Sequence, residues 1–216
     1  MIEAYTGTPG SGKSYHAVYD MVERIKWGHP VITNIPLNLG KIKEKRASCY
    51  VFKETFEMQD ENFILWLKEF SSELCEEKKL SRLPEDYIFL VIDEAQLIFN
   101  CRDWQDKNRK LWTSFFQLHR KYGYHVILIT QMSKMLDKHI QGLLEYEIIH
   151  RKFSNFGLKG IFLSFLLLSP NLFACVRMWA AMRTRIDCKI IRYSNRIGKY
   201  YNTNTDFSIE KKEIKN

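Results

Sequence analysis

"YTGTPGSGKSYH", residues 5–16, is the stretch on which the reading of this chain turns. Gly7, four residues, then Gly12, Lys13 and Ser14 satisfy G-x-x-x-x-G-K-[ST], the spacing of a loop that wraps phosphate. Gly7, Gly10 and Gly12 open backbone conformations closed to other residues, so successive N–H groups can turn inward around an anion. Lys13 brings a cation to the outer phosphates and Ser14 offers a hydroxyl to magnesium. The helix that follows points its positive end the same way. The flanks agree, because Ile2 to Thr6 reads as a short strand and Tyr15, Val18, Tyr19, Val22 and Ile25 recur at helical spacing. Gly7, Thr8, Pro9, Gly10, Ser11, Gly12, Lys13, Ser14 and Tyr15 form the expected cofactor-binding set, with ATP and Mg2+ as the expected cofactors.

Downstream, "PVITNI" (30–35) is β-branched and suits a second buried strand. Residues 40–86 read as a helical insertion, with Phe63, Trp66, Leu67, Phe70 and Leu74 on one helical face packed on the sheet. Then comes "YIFLVIDEAQ" (87–96), whose six apolar residues predict a strand buried on both faces. Such a strand delivers Asp93 and Glu94 to the carboxyl edge of the sheet. Asp93 is the candidate metal ligand beside Ser14, and Glu94 the candidate for activating water against the terminal phosphate. A helix through Trp112, Phe115, Phe116 and His119 stops at Gly123, and "HVILIT" (125–130) forms another buried strand. In phosphate-loop enzymes with a catalytic glutamate this strand lies between the loop strand and the Asp-Glu strand, so Gln131 at its tip is expected to face the terminal phosphate. A plain strand cap is the other reading of Gln131.

Length and composition bound the rest. The chain has 216 residues, 45% of them hydrophobic, enough for one packed α/β domain with a small appendage. Its five cysteines form no C-x-x-C pair and show no metal-like spacing with the six histidines, so neither a zinc site nor a disulfide framework is expected. No basic-then-apolar leader opens the chain, and a reducing cytoplasm fits best.

The net charge of +8 is unevenly placed: between Arg177 and Lys199 stand seven basic residues against one acid, Asp187. Single-stranded DNA held by Arg183, Arg185, Arg192 and Arg196 is one expected partner, an anionic membrane face another, and a solvated strand surface a third reading. The charge-free run 161–176 is 16 residues with Ser, Pro and Asn inside, short of the ~20 a spanning helix needs. A hairpin is expected here, strand 161–168, a turn at 169–171 and strand 172–180, with membrane contact through 161–176 the alternative.

"GTPGSGKS", "VIDEAQ", "LHRKYGYH" and "VILITQ" together resemble the N-terminal ATPase domain of the zonular occludens toxin-like proteins, which include the filamentous phage assembly and export ATPases. The likeness covers residues 1–153, and "IGKYYNTNT" (197–205) is similar to the end of that domain. It implies a three-layer P-loop NTPase fold of the additional-strand, catalytic-glutamate type, with a mainly parallel sheet and a C-terminal β hairpin extension. The domains so expected are an ATPase core at 1–153, a hydrophobic and basic β extension at 154–205 and a charged tail at 206–216. The resemblance further implies a motor extruding single-stranded phage DNA and coat protein, on the cytoplasmic side of a bacterial inner membrane. Its partners would be phage coat or assembly proteins. Most relatives continue into a membrane span, whereas this chain stops at Asn216, as a shortened, soluble cytoplasmic relative or a fragment would.

Two further readings stay open, a nucleotide-regulated scaffolding module with little turnover and a small-molecule kinase; Glu94 speaks against the first, and the lack of a lid with paired arginines against the second. Catalysis by Glu94, Lys13 and Gln131 leaves Lys13 and magnesium as the only positive charges. An arginine supplied by a neighbour in a homo-oligomeric ring is therefore expected, Arg120 ahead of Arg102.

Overall fold

The apolar runs read as strands pair into one eight-stranded sheet of order β3-β2-β4-β5-β1-β6-β7-β8. These are β1 (Ile2–Thr6), β2 (Val31–Thr33), β3 (Tyr50–Phe52), β4 (Ile88–Ile92), β5 (Tyr124–Ile129), β6 (Tyr146–Lys152), β7 (Leu172–Trp179) and β8 (Thr184–Arg192). The structure, a computed structural model, describes residues 1–40, 42–100, 106–153 and 171–201. From β3 to β6 every pairing is parallel, and β7 and β8 join antiparallel. β5 lies between β4 and β1, with Ile92 opposite Leu128 and Ala4 opposite Leu128 on the other side, as the expected additional-strand order requires.

Helices cover both faces, which makes three layers. On one face lies α1 (Lys13–Trp27), whose Ala17, Val18, Met21, Val22 and Ile25 are fully buried against Tyr5, Val31, Phe89, Val91 and Ile127. On the other lie α4 (Glu61–Glu77) and α5 (Asp106–Leu118), which bury Phe63, Ile64, Leu67, Trp112, Phe115 and Phe116 on Ile32, Leu90, Ile92, Val126 and Leu128. Phe99 meets Trp112 edge to face at 5.0 Å, a packing that adds directional preference to the burial of each ring. The turn into β5 needs Gly123: its φ is 75°, and a Cβ there would stand 2.8 Å from Leu83 Cβ. Short helices α2 (Glu44–Ala47), α3 (Thr55–Gln59), α6 (Lys138–Gln141) and α7 (Asn195–Gly198) complete the described elements.

Two expectations need correction. Residues 40–86 are not wholly helical, because Tyr50–Phe52 pairs with β2 and forms the edge of the same sheet. The hairpin is not 161–168 with 172–180. Residues 161–168 lie outside the described residues, and β7 has both edges filled, Phe173–Trp179 by β6 and Leu172–Trp179 by β8, so its hairpin partner is β8. Of the run 161–176, only 171–176 is described, and there Leu172, Phe173, Ala174 and Cys175 are buried. Residues 206–216 also lie outside the described residues. Among the described residues no helix is long and apolar enough to cross a membrane.

Candidate functional site

Because β1, β4, β5 and β6 run parallel, their carboxyl ends share one edge of the sheet, and the loops leaving them converge there. The loop after β1 takes the shape its glycines allow, with φ of 143° at Gly7, 72° at Gly10 and 93° at Gly12. Gly12 is the left-handed N-cap of α1, and its carbonyl accepts from His16 N–H at 2.9 Å. A Cβ on Gly12 would lie 2.8 Å from the Phe173 ring, so packing as well as φ demands glycine. Gly7 N–H donates to the Gln131 carbonyl at 3.1 Å, fastening the loop to the tip of β5.

Lys13 Nζ donates to Gly7 O at 2.8 Å and Thr8 O at 3.2 Å, which holds the ammonium at the mouth of the loop. Ser14 Oγ donates to Asp93 Oδ2 at 3.2 Å, bringing together the two expected magnesium ligands from 79 residues apart in the chain. One hydroxyl and one carboxylate oxygen fit a hard cation that keeps most of its waters. Burial pushes the Lys13 amine down and the Asp93 carboxyl up, each drawn back toward its charged form by the other. Such opposed charges in a half-dry cleft suit the binding of phosphate and metal.

Glu94 follows in the left-handed region at φ 49°, a conformation that costs an L-residue on the order of 1 kcal/mol or more and clusters at functional positions. It turns the chain out of β4, leaves the carboxylate exposed and takes a short contact from Gln96 Nε2. A residue the sequence reading passed over fixes this turn. Asn34, at the tip of β2, accepts from Asp93 N–H at 2.7 Å and donates to Asp93 O at 3.0 Å and Thr55 Oγ1 at 3.0 Å. The available signal was a lone amide ending a buried strand, the same signal that singled out Gln131.

Thr8, Pro9 and Gly10 are exposed at the loop tip, whereas Ser11 is buried with no hydrogen-bond partner for its Oγ. Tyr15 is used differently from the rest of the loop set. Its hydroxyl accepts from Ser194 N–H at 2.8 Å and donates to Arg192 O at 3.3 Å, so its side chain ties α1 to the chain after β8. A cleft of about 750 Å³ opens beside Gly7, Thr8, Pro9 and Gln131, and Lys134 and Arg151 also line it. These two cations at the carboxyl edge were not foreseen.

Arg120 is elsewhere. It precedes β5, at the amino edge of the sheet, where it pairs with Glu145 at 2.6 Å; the six residues of β5 put ~20 Å between that edge and Gln131. Arg102 lies outside the described residues. The basic stretch also divides. Arg177 is half-buried, bonded to Glu3 at 3.1 Å and stacked 3.9 Å over Tyr146, a structural role. Arg183 and Arg185 sit at the amino-edge end of β8, while Arg192 and Arg196 sit at the other end and line a groove with Lys26 and Lys189.

Comparison with known proteins places this geometry. The family described as Zonular occludens toxin (Zot) matches residues 1–206. The Gene 1 protein of Enterobacteria phage I2-2 is 27% identical over 148 residues, 67% of this chain and 38% of that protein. The Gene 1 protein of Enterobacteria phage M13 is 26% identical over 147 residues, 67% of this chain and 40% of that protein. The matched part thus spans about two fifths of these relatives' length. In fold, the chain is similar to the N-terminal domain of zonular occludens toxin from Neisseria meningitidis, with TM-score 0.52, 17% identity, and coverage of 93% of this chain and 98% of that one. It is also similar to the genome packaging NTPase B204 of Sulfolobus turreted icosahedral virus 2 in complex with ATP-gammaS, with TM-score 0.54, 18% identity, and coverage of 89% and 97%. Both likenesses establish the P-loop NTPase fold.

Proposed function

We propose, from the premise that this chain belongs to the zonular occludens toxin family, that it is a magnesium-dependent ATP hydrolase powering phage assembly. The observation that carries this reading is the 3.2 Å contact between Ser14 and Asp93, which joins the phosphate loop to the strand tip bearing Glu94. Lys13 and the loop N–H groups bind the phosphates. Ser14 and Asp93 would hold Mg2+, which neutralises charge on the phosphoryl oxygens. Glu94 takes the proton of the attacking water, and Gln131, joined through its carbonyl to Gly7, reports the state of the loop to β5.

The finer reading is export of single-stranded DNA with its coat protein at the cytoplasmic face of a host inner membrane. Gene 1 relatives of filamentous-phage type and a genome packaging neighbour support it. The unit is a homo-oligomeric ring. Arg151 and Lys134 supply positive charge to the cleft from within one subunit. Arg120 can contribute only where a neighbour presents its amino edge. Phosphate release, measured with and without single-stranded DNA, tests the proposal. Turnover that DNA stimulates supports the motor; binding without turnover returns the scaffolding reading, and transfer to a small alcohol the kinase reading.

A further inference from the structure

His16, His150 and Cys175 belong to α1, β6 and β7, and no spacing in the chain connects them. The fold brings their ligating atoms within 4.8 Å of one another, and all three residues are buried. The surroundings of His150 fix its hydrogen. His150 Nδ1 lies 3.0 Å from Ile148 O and 3.3 Å from Thr6 O. Carbonyl oxygens only accept, so Nδ1 carries the hydrogen and Nε2 presents a lone pair. His16 Nε2 faces Asp20 Oδ2 at 3.4 Å, and that carboxylate also accepts the Tyr5 hydroxyl at 2.9 Å. The His16 tautomer with hydrogen on Nε2 would present a lone pair from Nδ1. His16 Nδ1 and His150 Nε2 meet at 2.9 Å, with the Cys175 thiol beside them. Without an ion, a hydrogen bond from His16 Nδ1–H to His150 Nε2 accounts for that distance, and a metal ion would replace this bond once the His16 hydrogen moves to Nε2.

We propose that His16 Nδ1, His150 Nε2 and Cys175 Sγ form a Zn2+ site. Two imidazoles and a thiolate are the donors this ion prefers. Zn–N bonds of ~2.0–2.1 Å place the two nitrogens ~3.3 Å apart, so the rings separate by a few tenths of an ångström on binding. As the S–Zn bond forms, the thiol proton leaves to solvent. The imidazoles bind neutral, so one proton is released per ion. The Ile148 and Thr6 carbonyls orient the outer nitrogen of His150, the arrangement that supports ligating histidines, and Asp20 lies 3.4 Å from the outer nitrogen of His16. Tyr5 stacks on His16 at 4.9 Å and tilts against His150 at 5.0 Å, limiting ring rotation.

The site lies under the phosphate loop. His16 is three positions beyond Lys13 on the same helix, and a Cβ on Gly7 would stand 2.4 Å from the His150 carbonyl. The ion would clamp the loop's helix to β6 and to the antiparallel extension.

The full chain, stripped of metal and held in excess Mg2+ to occupy the Ser14–Asp93 pair, is titrated with Zn2+ and separately with Co2+. One equivalent should bind, Co2+ should show thiolate charge-transfer absorption, and zinc X-ray absorption should show one sulfur among nitrogen and oxygen neighbours. Cys175→Ser and His150→Gln should each weaken binding on the order of 100-fold or more, and Asp20→Asn by ~10-fold or more. Cys188→Ser, at an exposed thiol, should leave it unchanged. The X-ray absorption of the parent protein decides the matter even where a variant does not fold. No stoichiometric binding, a shell without sulfur, or parent-like binding by a folded Cys175→Ser would each overturn the site.

Discussion

Asn34→Ala tests how the turn carrying Asp93 and Glu94 is held. The substitution removes the acceptor for Asp93 N–H at 2.7 Å and the donor to Asp93 O at 3.0 Å, and leaves the Thr55 hydroxyl without its amide. Each hydrogen bond contributes ~1 kcal/mol net, and an orphaned buried N–H costs about 1–3 kcal/mol. Asn34 is half-buried, so water recovers part of this, and the loss should be about 2–3 kcal/mol. Phosphate release should fall further than stability does, because a displacement of ~1 Å at the reacting groups can cost ~10²-fold. Thr55→Val removes the outer contact alone and should cost less than about 1 kcal/mol. The assay is urea unfolding of the three proteins, with phosphate release measured where all remain folded. An Asn34→Ala protein within about 0.5 kcal/mol of the parent, hydrolysing ATP at the parent rate, would refute the argument, since surface changes fall in that range.

Other outcomes follow from the same geometry. Lys13→Ala should abolish nucleotide binding or turnover, whereas Glu94→Gln should keep ATP bound and stop hydrolysis; a Glu94→Gln protein turning over at the parent rate would remove Glu94 from the chemistry. Gly12→Ala should lose nucleotide binding, read by calorimetry, because φ of 93° and the Phe173 ring at 2.8 Å both oppose a Cβ. Since the arginines divide along β8, neutralising Arg192 and Arg196 together and Arg183 and Arg185 together should have unequal effects on single-stranded DNA affinity. The effective pair should lower the salt slope by ~1.4, at ~0.7 per phosphate contact, and an unchanged slope in both would leave the stretch as ordinary surface. Arg120→Ala should cost no more than ~1 kcal/mol in stability, as its partner Glu145 is only partly buried. If Arg120 completes a neighbour's site, mixing its inactive alanine variant with Lys13→Ala recovers phosphate release; no recovery in confirmed mixed assemblies points to Arg151.

What the sequence alone determined were the features written in local order. The phosphate loop is legible because its glycines, lysine and serine act within eight residues, and the order of backbone N–H groups is the order of the chain. Asp93 and Glu94 were legible because a run of six apolar residues reads as a buried strand, whose end emerges at an edge of the sheet. The tertiary structure alone decided whatever depends on two edges, two faces or two ends. β7 pairs with β6 and β8 because a strand's partners are chosen by register and burial across the sheet, which hydropathy does not encode. Arg120 looked near the site in sequence, yet a parallel sheet separates the two ends of each strand by its full length. Asn34 reaches Asp93 across 59 residues, and His16 reaches His150 across 134. Contacts of that span arise only once the hydrophobic layers have set the distances between elements, so no spacing along the chain announces them.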